Sequence, residues 1–382
     1  MYDQRTPSWM TPEHEMFADM VRKFFAAELV PNIPKWNKQG VVDRAFWDKA
    51  AEIGLLAATI PEAYGGAGGT YSFDAIIGYE QARIGDTGWG FGINTIIAHY
   101  ISRYGTEAQK LRWLPRMASG ELIPAIAMTE PGTGSDLQAV TTYADRHADT
   151  YCINGTKTFI TNGQTANLIC IIAKTDRDAG SKGISLIFAE TDGLKGFSRG
   201  RNLEKLGMKA NDTSELFFED MHVPLENCLG GEEGKGFAQM MTDLPWERLY
   251  LGIGALGQMD FVLKETIAYT RQRKAFGQRV ADFQNTRFKL AEVKTKIEVT
   301  RVFINDCIAQ QDVGELTATT ASMAKLWSTD LQNDVVDECL QFFGGNGFMM
   351  EYPIARAYAD ARVQKIYGGT NEIMKELIAR AL

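Results

Sequence analysis

The chain has 382 residues, enough for a large buried core and more than one folding unit. Its composition, 45% hydrophobic and 23% charged, is that of a globular protein, and no apolar run approaches the roughly 20 residues that span a bilayer. A net charge of −8 excludes a generally basic surface for nucleic acid but leaves room for a local basic pocket.

The N-terminus, MYDQRTPSWMTPEHEM, lacks a basic-then-apolar signal pattern and is too acidic for a transit peptide, so a cytoplasmic protein of bacterial type is expected. Residues 1–122 read as an N-terminal helical domain. Phe17, Met20, Val21, Phe24 and Phe25 form one apolar stripe, Pro61 and the glycines near 65–69 make a loop, and a second helical group covers 72–104. Residues 123–235 change to short strands, as in 168–172, 184–188 and 215–219, with turns expected at Asn154-Gly155 and Asn162-Gly163. This middle domain reads as a β-sandwich or barrel. Residues 236–382 return to amphipathic helices over 259–273, 283–310, 316–341 and 373–382. The predicted fold class is therefore α+β, mainly α, with a β domain between two helical ones.

Five widely spaced cysteines without a CxxC argue for buried, reduced thiols, and four scattered histidines show no metal spacing. Neither G-x-G-x-x-G nor G-x-x-x-x-G-K-[ST] is present. The glycines gather elsewhere. Residues 127–136, AMTEPGTGSD, form a tight loop whose backbone can approach a planar ligand closely, or an ordinary turn into the β domain. In KTFITNG, alternation sets Phe159 and Thr161 on one face, as a ligand platform or a cross-strand core pair. Arg271, Arg273 and Lys274 suit a pyrophosphate, or a solvated helix cap.

AMTEPGTGSD and residues 341–360 resemble the two sequence signatures of acyl-CoA dehydrogenases. ITNG, RKAFGQ and YGGTNEI follow in the family's order over nearly the whole chain, and only Thr133 departs slightly. The resemblance implies a C-terminal four-helix bundle and FAD bound without a dinucleotide fingerprint. It implies a flavin site of Met128, Thr129, Ser135, Phe159 and Thr161. Arg273, Phe276, Gln284, Gln341 and Gly345 would hold the FAD of a neighbouring subunit, with Thr370 and Glu372 closing the site. A shared cofactor implies a homodimer or homotetramer.

Many family members carry the catalytic Glu where this chain has Gly368, and glycine cannot take a proton. Glu247, in LPWERLY, stands among apolar and aromatic neighbours, unusual company for a solvated carboxylate, although an ion pair would also account for it. Pro245 fits a helix start or kink there, and Gly254 falls on the same helical face. In the long-chain and isovaleryl branches the base sits on this earlier helix beside an Arg matching Arg248, and the YGGT position is small. The resemblance thus implies Glu247 as base, Gly368 offering its backbone N–H to the thioester carbonyl, and substrate contacts from Ser135, Arg248, Tyr250 and Tyr367. The implied reaction is α,β-dehydrogenation of an acyl-CoA, with electron-transfer flavoprotein as acceptor. An oxygen-using oxidase or monooxygenase and a non-catalytic flavoprotein scaffold are the alternatives.

Overall fold

A computed structural model describes residues 6–382 of the chain; the first five, part of the stretch read above for targeting signals, lie outside it. The N-terminal region holds six helices: α1 (Pro12–Phe24), α2 (Ile33–Gln39), α3 (Arg44–Glu52), α4 (Tyr71–Ala82), α5 (Phe91–Tyr104) and α6 (Glu107–Ala118). Thr11 caps α1 in a capping box with His14, as a hydroxyl at this position can. The single helical group expected over 72–104 is two helices. Gly85 at φ 77 breaks it, and buried Asp86 accepts from the Gly88 and Trp89 N–H groups, holding the turn. Phe25, Phe46, Trp36, Trp47 and Trp89 fill the core beneath these helices.

Seven strands follow: β1 (Pro124–Ala127), β2 (Tyr143–Arg146), β3 (Thr150–Thr161), β4 (Leu168–Lys174), β5 (Ile184–Glu190), β6 (Phe197–Asn202) and β7 (Thr213–Pro224). They form one curled sheet in the order β1-β4-β2-β3-β7-β6, forking where β5 also pairs with β4. Of the two shapes expected, the barrel-like one is the closer. Strands β4 and β5 are buried along nearly their whole length, which explains their unbroken apolar sequences. Asn162 takes a left-handed conformation in the turn expected there. Asn154-Gly155 is not a turn. It lies inside β3 at a register shift, where the Asn154 side chain bonds Asp220 of β7 through both of its polar atoms.

Helix α7 (Gly236–Gln272) then runs unbroken for 37 residues, about 56 Å at 1.5 Å per residue. Pro245 lies inside it rather than at a start, because the helix already begins at Gly236. The short strands β8 (Lys274–Ala275) and β9 (Gln278–Arg279) lead to α8 (Gln284–Asp312), α9 (Ala318–Gln341), α10 (Pro353–Ala361) and α11 (Asn371–Ala379). Helix α7 packs on α8 and α9 and, from the other direction, on α4, so its middle is covered from both helical regions. Among the described residues, no helix is long and apolar enough to cross a membrane.

Candidate active site

Glu247 projects from α7 toward α5, where the Tyr100 hydroxyl donates to its Oε1 at 2.6 Å. Burial pushes the carboxyl up to about 7, and nearby Asp243 adds to the rise; the Tyr100 hydrogen bond and Arg248 oppose it. A carboxylate poised there can take a proton near neutral pH. Tyr100 is fully buried, so its donor is fixed in place. The ion pair that would have made Glu247 merely structural does not form among the described residues.

Tyr100→Phe should therefore move the acid limb of the pH–rate profile upward by about one unit, the size of one hydrogen bond to a charged acceptor. The sign follows from the donor: losing it disfavours the carboxylate. The pH dependence of kcat/KM checks this, and an unmoved limb would disconnect Tyr100 from the base.

The segment Gly368-Gly369 meets this stretch of α7 from the other side. Gly368 has φ 64 and Gly369 φ 89, the left-handed region that favours glycine. A Cβ on Gly368 would collide with Leu251 Cδ1, and Leu251 is one helical turn from Glu247. The backbone conformation favours glycine here, and a larger residue would also have to push the Leu251 side chain aside. Thr370 begins α11, its hydroxyl accepting from Ile373 N, and Glu372 lies exposed in the first turn.

A second group assembles at the edge of the sheet. Thr158 N–H donates to Thr129 O at 2.8 Å, which joins the loop after β1 to β3 and brings half-buried Met128 and Thr129 beside Phe159 and Thr161. Phe159 is 68% exposed at φ 59, and Ile160 between it and Thr161 is buried. The pair does not form the cross-strand core contact that was the alternative. An exposed aromatic held in the left-handed region is a costly arrangement, of the kind that persists at ligand sites. It fits the flat ring of a flavin. Ser135 stands exposed in the same loop.

Two fully buried residues hold this loop from behind. Lys157 Nζ donates to Met128 O and to Glu130 Oε1, both at 2.9 Å. Glu130 also accepts from Thr141 N, Thr141 Oγ1 and Thr142 N. Burial alone would raise the Glu130 pKa, but the Lys157 charge and these donors overcome it and bring it down to about 2. Burial lowers Lys157 to about 8 despite its partner, so both groups are ionised at neutral pH. Cys170 and Met128 share one apolar cluster with Tyr100, so the loop and the base flank the same core.

Arg273, Phe276, Gln284, Gln341 and Gly345 stand apart. All five are exposed, Phe276 to 96%, and Phe276 is at φ 49. Arg273 follows the last residue of α7, and Gln272 is 25 residues beyond Glu247, about 38 Å along a rigid helix.

Of the residues expected to touch substrate, Arg248 reaches toward α9. It is 6% exposed, donates to Ser322 Oγ of α9 at 3.3 Å, and leaves its Nε without a partner. Tyr250 lies between α4 and α5, where a Cβ on Gly78 or on Gly92 would come within 2.8 Å of its ring. Burial pushes the Tyr250 and Tyr367 hydroxyls up and keeps both neutral. The sequence reading missed Tyr100, Glu130, Lys157 and Lys325. Lys157 had a visible signal, a lysine among otherwise apolar and hydroxyl-bearing strand residues; Tyr100 had none.

Among the described residues no cluster of His, Cys, Asp and Glu could hold a metal, and the five cysteines are buried and unpaired. His14 bonds Ser72, and His99 bonds Asp74.

Three family models match in order: the acyl-CoA dehydrogenase N-terminal domain over residues 11–121, its middle domain over 125–221 and its C-terminal domain over 234–382. The chain is similar to the mitochondrial long-chain specific acyl-CoA dehydrogenase of Mus musculus, with 50% identity over 97% of this chain and 86% of that one. It is 36% identical to the mitochondrial isovaleryl-CoA dehydrogenase of Oryza sativa subsp. japonica, over 100% of this chain and 94% of the relative. Among solved structures it resembles an acyl-CoA dehydrogenase from Geobacillus kaustophilus, with TM-score 0.95, 45% identity and coverage of 98% and 99% of the two chains. With its base-poised carboxyl, its exposed aromatic beside a glycine-rich loop and these matches along its whole length, the chain belongs to the acyl-CoA dehydrogenase family of FAD-dependent oxidoreductases.

Proposed function

We propose that the chain removes the α-proton and β-hydrogen of a long-chain acyl-CoA to give the trans-2-enoyl-CoA, with Glu247 as the base. The observation that carries this is the carboxyl of Glu247, raised to about 7 by burial and held by Tyr100 opposite the Gly368 turn. Glu247 takes the α-proton on one oxygen while Tyr100 holds the other. The Gly368 N–H donates to the thioester carbonyl, where negative charge gathers as the α-proton leaves, and a fixed donor there stabilises it strongly. Met128, Thr129, Ser135, Phe159 and Thr161 hold FAD, which supplies the hydride acceptor. Arg248, buried toward α9, adds positive charge near the base rather than a contact to the acyl chain.

The exposure of Arg273 and Phe276 at the far end of α7 from Glu247 supports a site completed by a second copy, in a homodimer or homotetramer. Electron-transfer flavoprotein is the proposed oxidant of the reduced enzyme. The choice of the long-chain over the isovaleryl branch follows the higher identity to the long-chain relative.

Anaerobic titration of the FAD-loaded protein with acyl-CoAs of graded length and branching tests the reading. Flavin bleaching should be fastest with long straight chains. Bleaching only by branched short chains would move the assignment to the isovaleryl branch, and no bleaching by any thioester would overturn dehydrogenation. Rapid reoxidation by air with peroxide release would favour an oxidase.

A further inference from the structure

Lysine is costly to bury, and a lysine with no exposed surface normally has acceptors arranged around it. Lys325 of α9 is such a residue, 0% exposed. Its Nζ donates to Gly369 O at 2.8 Å and to Asn371 Oδ1 at 2.7 Å. Burial lowers its pKa to about 8, so at neutral pH the ammonium and its donors are in place. Asn371 in turn donates to Asp330 Oδ1 at 2.9 Å and to Thr329 Oγ1 at 3.0 Å, and Asp330 pairs with Lys365 at 2.8 Å. The network fastens the segment from Gly369 to Asn371 onto α9, with its bonds to Lys325 and Thr329 at the buried end and the Asp330–Lys365 pair at the solvent side.

What is fastened is the least self-supporting backbone near the base. Two consecutive glycines in the left-handed region have no side chains to hold them and the largest conformational entropy to lose. The side chain of Leu251 lies against Gly368, and those of Met374 and Ile373 against Gly369. The Gly369 carbonyl lies two peptide units beyond the Gly368 N–H, so the tie at Gly369 O holds the end of the turn that carries this donor.

We propose that Lys325 is a positioning residue for the reaction: by anchoring Gly369 O and Asn371 it aims the Gly368 N–H at the thioester carbonyl. It touches neither substrate nor flavin. This rests on the acyl-CoA dehydrogenation proposed above. Lys325 acts on the step in which the α-proton moves to Glu247, because that step builds charge on the carbonyl oxygen. An anchor that merely stabilised the fold would leave that step unchanged in whatever protein remained folded.

The test uses the FAD-loaded protein with Lys325→Met, which keeps the length of the side chain and removes its donors, and Lys325→Arg, which keeps the charge but not the reach. Three quantities are read: bound flavin, dissociation constant of a long-chain acyl-CoA analogue that cannot lose its β-hydrogen, and deuterium exchange at that analogue's α-carbon. The expected result for Lys325→Met is α-exchange and kcat both lower by about 10–100-fold per bound flavin, the range of one lost oxyanion donor or less. The dissociation constant should stay within about threefold, and Lys325→Arg should recover part of the exchange.

Exchange and kcat within twofold of the parent, per bound flavin, would overturn the proposal, as would a loss explained wholly by lost flavin. If Lys325→Met does not fold, Lys325→Arg decides alone: lowered exchange with unchanged affinity supports positioning, and unchanged exchange overturns it. A parent protein that exchanges no α-proton and is bleached by no acyl-CoA overturns the dehydrogenation reading itself, a failure distinct from that of Lys325.

Discussion

Glu247→Gln is expected to leave a folded, flavin-bound protein whose reductive half-reaction is slower by about a thousandfold or more. Loss of a positioned general base typically costs 10²–10⁴-fold. Of the carboxylates near the Gly368 turn, Asp330 is already paired with Lys365 and bonded by Asn371, and Glu372 is exposed at the start of α11. The amide keeps the volume of the acid and can still accept from Tyr100, so packing at α5 and α7 should hold. Anaerobic mixing with a long-chain acyl-CoA, following flavin bleaching, makes the measurement. Near-parent bleaching would remove Glu247 as base. The unsubstituted enzyme should itself lose activity as pH falls through about 7, because protonation occupies the site the substrate proton must enter.

Lys157→Met should be the most damaging change at the flavin loop. It leaves Glu130 buried and charged without its cation, and breaking a buried pair in this way costs about 3–5 kcal/mol. Met128 O loses its donor at the same time, so the loop carrying Met128 and Thr129 loosens. The expected result is a lower melting temperature together with poor FAD retention on gel filtration. Adding Glu130→Gln should restore part of both, since the stranded charge is then gone. Equal stability of Lys157→Met and the parent would show that the pair holds nothing. The acid dependence has a defined sign. With Glu130 held down to about 2, its contribution is full above the ordinary carboxylate range and is lost as pH falls from there through about 2.

The architecture was legible because the hydrophobic pattern changes twice along the chain, from helical periodicity to short apolar strand runs and back, and these changes survive in α1, in β4 and β5, and in α8 and α9. Turn chemistry was legible only where local. Asn162 obeyed its own preference, whereas Asn154 was recruited by Asp220, 66 residues away, into a bulge within a long strand. The start of α7 was hidden because Pro245 punctuates a sequence that tertiary packing nevertheless keeps helical. Glu247 could be singled out from its apolar neighbours. Tyr100 could not, since nothing in FGINTIIAHYISRY distinguishes a tyrosine that packs from one that donates to a carboxylate on another helix. Arg248 shows the same limit: nothing in its own sequence neighbourhood tells that helical geometry turns it toward Ser322.

Tyr250 carries a consequence for how such chains can diverge. Its ring fills the space left by two glycines, Gly78 on α4 and Gly92 on α5, so three helices share a single aromatic spacer. Enlarging either glycine requires the ring to leave, and shrinking the ring leaves a hole that neither glycine can fill. The three positions therefore form one unit of variation. Related sequences that keep this helix spacing should exchange an aromatic for a smaller residue at position 250 together with a gain of side chain at 78 or 92, and a change at one position alone should be rare.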